Sequence, residues 1–544
     1  MTKRGMRSAA AVGFTVLLLS GCSVVGDLLP GGDGPASPAA STPPPAPTRS
    51  ATDESTAVRP PSGSPSPTVA RSTAPIPEVT PDGFREPPSG SGMGRYLDQQ
   101  IDWQDCGQGV ECAEVAVPLD YDRPDDIAIT LAVKRAPGGN GADRSLFINP
   151  GGPGGSGWSM VDGFIGTFTG QFDVVGWDPR GVGRSTPVRC ENGTALDEYY
   201  ALDATPDDEA ERTALVEGTR EFTMSCLERS GPLLQHVSTV ETVQDLDLLR
   251  RLLDNEKLHY LGYSYGTEIG ATYAELYGEH IGTMVLDSAV NITDDTSIVQ
   301  AQGFDRSLRH FAEWCAEGNC DFGDTADEVV ERITDLWDRL DAEPLTVGDR
   351  ELTQSLAVLG VLTPLYQDER VWPQLRQALS EAFNGNGSML LGYADSYNQR
   401  DASGHYGQML FGFNAVRCLD EGDGGLTGAR REAADVAEKA PVFGSYTGPD
   451  VVCALWPVAA REPVGTITGP DAPPILVVGT TGDSATPYEY AQWMADQLES
   501  GVLLTFDGEG HGAFGGPNQC VNSTVMQYLT SGEPPEDGKV CRSG

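Results

Sequence analysis

A strand that turns into a helix within a single residue is the tightest constraint this sequence places on its fold. Gly262-Tyr263-Ser264-Tyr265-Gly266 follows a short apolar run beginning at Leu258 and precedes a helix-compatible stretch that reaches Tyr277. Such a turn crowds backbone on both sides of Ser264, and glycines at 262 and 266 remove the side chains that would collide there. It lifts the Ser264 hydroxyl to a sheet edge, beside backbone N–H groups at the positive end of a helix. In a chain with 66 glycines the pentapeptide also arises by chance, so its meaning depends on what surrounds it.

The surroundings alternate between strands and helices. Before the elbow, Val115 to Leu119, Ile127 to Val133, Ser145 to Ile148 and Phe172 to Trp177 read as strands. Thr239 to Leu253, with leucines at 246, 248, 249, 252 and 253, reads as an amphipathic helix leading to the elbow strand. After the elbow, Met284 to Leu286, Pro474 to Gly479 and Gly501 to Phe506 are strands, and Glu489 to Leu498 a helix. This rhythm predicts an α/β class, a mainly parallel sheet with helices on both faces. It breaks between 291 and 442, where segments have helical spacing and no strong strand occurs, so an inserted helical cap is expected there. The sheet domain is then split into 92–290 and 443–544.

Two late loops carry the remaining chemistry. Asp483 follows one strand in Gly482-Asp483, and His511 follows the next in Gly510-His511-Gly512. A serine hydroxyl is a weak nucleophile near neutral pH and needs a base. Imidazole suits the task, and a carboxylate on its other nitrogen fixes the tautomer. The order Ser264, Asp483, His511 is that of the α/β-hydrolase fold. Asp287 also follows a strand and is the rival acid. Among the six histidines, His405, in the expected cap, is the rival base. The glycine loop Asn149-Pro150-Gly151-Gly152-Pro153-Gly154-Gly155-Ser156-Gly157 lacks the Gly-Lys-Ser/Thr ending of a phosphate loop. Lying after a strand that precedes the nucleophile, it is expected to supply one oxyanion donor, Gly152 N–H, with Tyr265 N–H as the other. Arg180, in Asp178-Pro179-Arg180-Gly181, reads as holding its own loop through a carboxylate or carbonyls rather than as an anion binder.

The N-terminus is expected to direct export. Lys3, Arg4 and Arg7 precede an apolar run from Ala9 to Leu19, too short to span a bilayer, and Leu19-Ser20-Gly21-Cys22 matches a lipobox. Residues 1–21 are therefore expected to be a signal peptide and Cys22 the lipidated residue, with an ordinary secretory signal as the alternative. The stretch 22–91, dominated by Pro, Ser, Thr, Ala and Gly, cannot bury enough apolar surface to offset its ordering entropy and is expected to be a disordered tether. Lys and Arg number 36 against 79 Asp and Glu, a net charge of −43. Attraction to nucleic acid or an anionic bilayer surface is thus excluded, and membrane contact is expected only through the anchor. Of 11 cysteines, setting Cys22 aside leaves an even number in an oxidising compartment. Composition does not decide their connectivity; sequential pairing gives Cys106–Cys112, Cys190–Cys226, Cys315–Cys320, Cys418–Cys453 and Cys520–Cys541. No Cys-x-x-Cys or histidine-containing cluster accompanies them, so neither metal nor cofactor is expected.

The glycine loop, the run Asp178 to Ser185, the elbow, Gly482-Asp483 and Gly510-His511-Gly512 together resemble the secreted bacterial tripeptidyl aminopeptidases. These are relatives of the proline iminopeptidases among α/β-hydrolase serine exopeptidases. The resemblance runs from about Asp98 to the C-terminus. Asn149-Pro150 stands where proline iminopeptidases have a histidine before Gly-Gly, and the stretch Asn414 to Asp420 also resembles the tripeptidyl branch. The resemblance implies removal of short peptides, tripeptides in that branch, from free N-termini through an acyl-enzyme on Ser264. A protonated substrate amine then needs a carboxylate, for which Asp420 and Glu421 are the candidates, a solvated surface pair being the plainer reading of them. The rival functions are a carboxylesterase or lipase using the same three residues, and a non-catalytic envelope lipoprotein.

Overall fold

The computed structural model describes residues 75–77, 81–139, 141–318, 320–421 and 424–543. The signal segment 1–21, Cys22 and residues 22–74 of the expected tether lie outside the described residues.

Ten strands form one sheet: β1 Gln104–Asp105, β2 Glu111–Pro118, β3 Ala128–Ala136, β4 Ser145–Asn149, β5 Asp173–Trp177, β6 Leu258–Tyr263, β7 Ile281–Asp287, β10 Ile475–Gly482, β11 Gly501–Glu509 and β12 Lys539–Arg542. A separate antiparallel hairpin, β8 Leu345–Val347 with β9 Arg350–Leu352, lies in the interval expected to be wholly helical. The sheet order is β1-β2-β3-β5-β4-β6-β7-β10-β11-β12. Pairing is antiparallel from β1 through β5 and parallel from there to β12. This is the α/β-hydrolase fold.

The central strands read as unbroken apolar runs because both faces are covered. In β4, Phe147 enters one core and Leu146 and Ile148 the other; in β10, Ile475 and Val477 alternate with Leu476 and Val478 in the same way. That period of two makes the sheet a rigid middle layer. Its parallel strands from β4 to β11 all deliver their C-terminal ends to one edge, where Asn149, Ser264, Asp287, Asp483 and His511 follow.

The cap has a core of its own. Helices Gln300–Glu317, Ala326–Ala342, Gln354–Leu365, Trp372–Phe383 and Ser388–Tyr397 bury Leu308, Phe311, Trp337, Leu356 and Leu379 against one another. Two details depart from the expected interval 291–442. The helix Met409–Asp420 places Phe411, Ala415, Cys418 and Leu419 in the sheet domain's core, beside Phe222, while Phe443 joins the cap's core. At the other end, the expected tether stops short of 91: Arg85 bridges Ala128 of β3, and Thr186 Oγ1 donates to Gly83 O at 2.9 Å.

Disulfides Cys106–Cys112, Cys190–Cys226, Cys315–Cys320, Cys418–Cys453 and Cys520–Cys541 staple local segments. Cys418–Cys453 ties the Met409–Asp420 helix down, and Cys520–Cys541 ties edge strand β12 to the helix Gln519–Ser531. Such bridges fit an extracytoplasmic compartment. Among the described residues, no helix is long and apolar enough to cross a membrane.

Arg180 is fully buried and holds its loop. It pairs bidentately with Asp245 at 2.7 Å through both Nε and Nη2, and donates to the carbonyls of Pro118, Leu119 and His236. Replacing Arg180 by Met should strand Asp245 as an uncompensated buried charge and lower unfolding free energy by about 3–5 kcal/mol. Denaturant unfolding of the disulfide-intact protein measures this; a loss under about 1 kcal/mol would contradict the assigned role.

Candidate active site

Ser264 has φ 54° and ψ −126°, a conformation that side chains seldom adopt, between β6 and the helix Tyr265–Tyr277. The glycines are required by contact. A Cβ at Gly262 would lie 2.4 Å from Gly266 O, and one at Gly266 would lie 2.9 Å from Asn149 O. Ser264 N–H donates to Asp287 O at 3.0 Å, which ties the elbow to the end of β7.

The glycine loop lies directly against the elbow. At Gly151, with φ +89°, a Cβ would sit 2.9 Å from both Ser264 Cβ and Tyr265 N, so only glycine lets this backbone approach. Gly151 N–H is taken by Asn149 Oδ1 at 2.8 Å. The N–H groups of Gly152 and Tyr265, by contrast, have no acceptor among the described residues. Two free donors beside a serine are what a developing oxyanion needs.

Asp483 and His511 meet. His511 Nδ1 lies 2.9 Å from Asp483 Oδ1 and 3.0 Å from Oδ2. The carboxylate, 2% exposed, also accepts from Ala485 N, Thr486 N and Thr486 Oγ1 at 2.8–3.0 Å. Thr486 Oγ1 stands 3.3 Å from His511 Nδ1, a contact the sequence pattern did not single out. Ser264 Oγ is not hydrogen-bonded to His511 among the described residues; the two are brought to one sheet edge by the β6, β7 and β11 termini. Asp287, the rival acid, bonds the backbone N–H groups of Ala513 and Phe514 and not the imidazole. His405 is exposed on a cap loop, its N–H bound to Asp401.

The cap reaches into this site. Tyr366 O accepts His511 N–H at 2.9 Å, and the two rings meet edge to face with centroids 5.7 Å apart. Glu509, two residues before His511, is bound by His310 Nδ1 at 2.8 Å from the cap helix.

The expected amine binders are placed unequally. Asp420 accepts from Thr239 N at 2.9 Å and Thr239 Oγ1 at 2.7 Å, and Thr239 Oγ1 in turn lies 2.6 Å from Tyr265 OH, within the elbow. Glu421 has a side chain 68% exposed, with Arg417 at 4.0 Å. A third acid went unnoticed in the sequence. Glu268 lies one helical turn after Ser264, has no hydrogen-bond or ion-pair partner among the described residues, and is pushed up to about 8 by burial and the charges of Asp420 and Glu421. Its spacing of four from the elbow serine was the available signal.

Relatives of known description decide the family. Over 478 residues the chain is 35% identical to Serine protease Hip1 of Mycobacterium tuberculosis, covering 82% of this chain and 91% of the relative. It is 32% identical to Tripeptidyl aminopeptidase of Streptomyces lividans over 474 residues, covering 81% of this chain and 86% of that one. The chain belongs to the tripeptidyl aminopeptidase family. It is a serine hydrolase, and the family described as TAP-like protein matches residues 440–541, the part that carries Asp483 and His511. A further relative, Carboxylesterase B of Mycobacterium tuberculosis, is 36% identical over 470 residues, covering 81% of this chain and 90% of that one.

Burial works to lower the affinity of His511 for a proton, but the adjoining Asp483 and the nearby Asp287 outweigh it, and the net shift is upward from 6.5. A protonated imidazole cannot take a proton from serine, so with His511 as the candidate base activity should be lost as pH falls through this raised value. The acid limb of kcat/KM should therefore lie above 6.5, and Asp483→Asn should move it downward while cutting kcat by several orders of magnitude. A pH–rate profile checks both; an acid limb unmoved by Asp483→Asn would contradict the pairing as the cause.

Proposed function

We propose that the protein is an exported, lipid-anchored serine exopeptidase that releases short peptides, tripeptides by family, from free N-termini. The observation that carries this reading is the Asp483–His511 pair on the loops beside an elbow serine with two unsatisfied backbone donors. Ser264 Oγ attacks the scissile carbonyl as His511 Nε2 takes its proton. Asp483 holds the imidazolium, and Tyr265 and Gly152 N–H groups receive the oxyanion. The proton then passes to the leaving amine, and water, activated by the same histidine, releases the peptide from Ser264.

Fold and triad set acyl transfer but not the leaving group. The names of the protease and tripeptidyl aminopeptidase relatives support a peptidase, and the carboxylesterase relative keeps ester cleavage as the rival outcome. The acids around the elbow favour a substrate that carries a positive charge. Glu268 and Asp420, with Glu421 at their edge, form the proposed seat for the α-ammonium. An ammonium would offset the burial and the mutual repulsion that together hold the Glu268 proton on.

Chromogenic peptides with free N-termini should be cleaved and their N-acylated counterparts spared; the reverse preference, or turnover of acyl esters alone, would overturn the exopeptidase reading. Ser264→Ala should abolish turnover with little change in thermal stability. Glu268→Gln should raise KM for free-amine peptides about tenfold, the worth of one charge-assisted hydrogen bond. An unchanged KM would remove Glu268 from the amine site. Metabolic labelling with palmitate should disappear in Cys22→Ala; persistent label would refute the lipid anchor.

A further inference from the structure

Asp287 touches both sides of the site through different atoms. It ends β7 with no solvent exposure. Its carbonyl accepts the Ser264 N–H at 3.0 Å. Its carboxylate accepts Phe514 N–H at 2.7 Å, and Ala513 N–H at 3.1 Å to Oδ1 and 3.2 Å to Oδ2. The next residue extends the clasp: Ser288, at φ 55°, is anchored by its N–H to Val478 O of β10 at 2.9 Å and takes Gly512 N–H on its hydroxyl at 2.8 Å. Three consecutive backbone N–H groups after His511 are thus fixed to the same strand end that fixes the serine.

This clasp is built with an ion where a neutral group would cost less. Among the described residues no Lys, Arg or His side chain pairs with Asp287; its carboxylate is met by backbone N–H groups and by a long 3.4 Å contact from the Ser288 hydroxyl, with no cation. Burial pushes its carboxyl up from 3.8 to about 6, the Phe514 and Ala513 N–H groups and His511 opposing the rise and Asp483 adding to it. An asparagine would still offer one acceptor oxygen and would avoid the cost of burying an unpaired carboxylate. Beyond a second acceptor oxygen, the ionised form supplies a second negative charge near the imidazole. His511 and Asp483 are the titratable groups that face Asp287.

We propose that Asp287 is a positioning residue for acyl transfer: it locks the Ser264 backbone and the His511 loop to one strand end, and its charge supports the imidazolium as it forms. The inference rests on Ser264 and His511 being nucleophile and base.

Asp287→Asn in the full chain tests it. Expected are a kcat about 10- to 100-fold lower, the loss that a misplacement near 1 Å brings, an unchanged KM, and an acid limb of kcat/KM displaced downward. Thermal stability should be retained. Because the folded carboxyl binds its proton more tightly than the unfolded one, wild type loses stability relative to Asp287→Asn as pH rises from about 4 to about 6. Wild-type kcat and pH profile in Asp287→Asn would overturn the proposal, as would a kcat loss that merely tracks loss of folded protein. Should Asp287→Asn fail to fold, Ser288→Ala decides: it removes the acceptor for Gly512 and the long 3.4 Å contact to Asp287 while leaving the carboxylate charge in place, so kcat should fall with the acid limb nearly unmoved, and an unaltered kcat would overturn the clasp. Turnover retained in Ser264→Ala would instead sink the nucleophile assignment on which the clasp depends.

Discussion

The left-handed backbone of Ser264 is the constraint on which the rest of the structure depends. Holding a non-glycine residue there costs about 1–3 kcal/mol, and such strain persists only where the surroundings over-determine it. Here β6 is buried along its whole length, Gly262 and Gly266 leave room for the sharp turn, and Gly151 presses backbone against the serine Cβ. The hydrogen bond from Ser264 N–H to Asp287 O ties the turn to the neighbouring strand. A parallel sheet covered on both faces is stiff enough to store that strain, and its chain direction sends the strand ends that follow to the same edge.

The cap is joined to the site and not simply laid over it. Tyr366 O satisfies the His511 N–H, His310 binds Glu509, and Arg306 pairs with Glu489 at 2.8 and 2.9 Å, so contacts cross from the cap to the end of β11, to the loop after it and to the helix that follows β10. Any displacement of the cap must break these contacts or carry the His511 loop with it. The geometry of the proposed base is consequently shared between two cores, one in the sheet domain and one in the cap.

Electrostatically, the site concentrates acids in a protein that already carries a net charge of −43. Arg180–Asp245 shows a buried pair made neutral by bidentate contact. Asp287 and Glu268 have no such ion pair among the described residues, and burial pushes both carboxyls up. Carboxylates taken from water without a cation are costly to a fold, and two of them, Asp287 and Glu268, lie beside Ser264, one bonded to its N–H through its own carbonyl and one a helical turn after it.

Much of this was legible in the residues themselves. Unbroken apolar runs gave the central strands, because both faces are buried, and the glycine spacing at 262 and 266 gave the elbow, because only glycine fits a turn that tight. The order of Ser264, Asp483 and His511 gave the hydrolase topology. The cap's limits were less legible: Met409–Asp420 has the same helical spacing as its neighbours, and only packing sends its apolar face to the other core. The short hairpin at 345–352 carries too few residues for a period-two signal, and the ordered stretch 81–91 is rich in Pro and Gly although its backbone pairs with β3. The roles of Asp287, Glu268 and Tyr366 were hidden for a common reason. Each depends on a partner more than 80 residues away in the chain, so local pattern marks at most its position, as the four-residue spacing of Glu268 from Ser264 does, and not its surroundings. Sequence alone thus determined which residues can perform the chemistry, since residue type and local backbone freedom are written in the chain. Tertiary structure decided which of two acids meets the imidazole and which charges stay unpaired, since those follow from burial and distance across the fold.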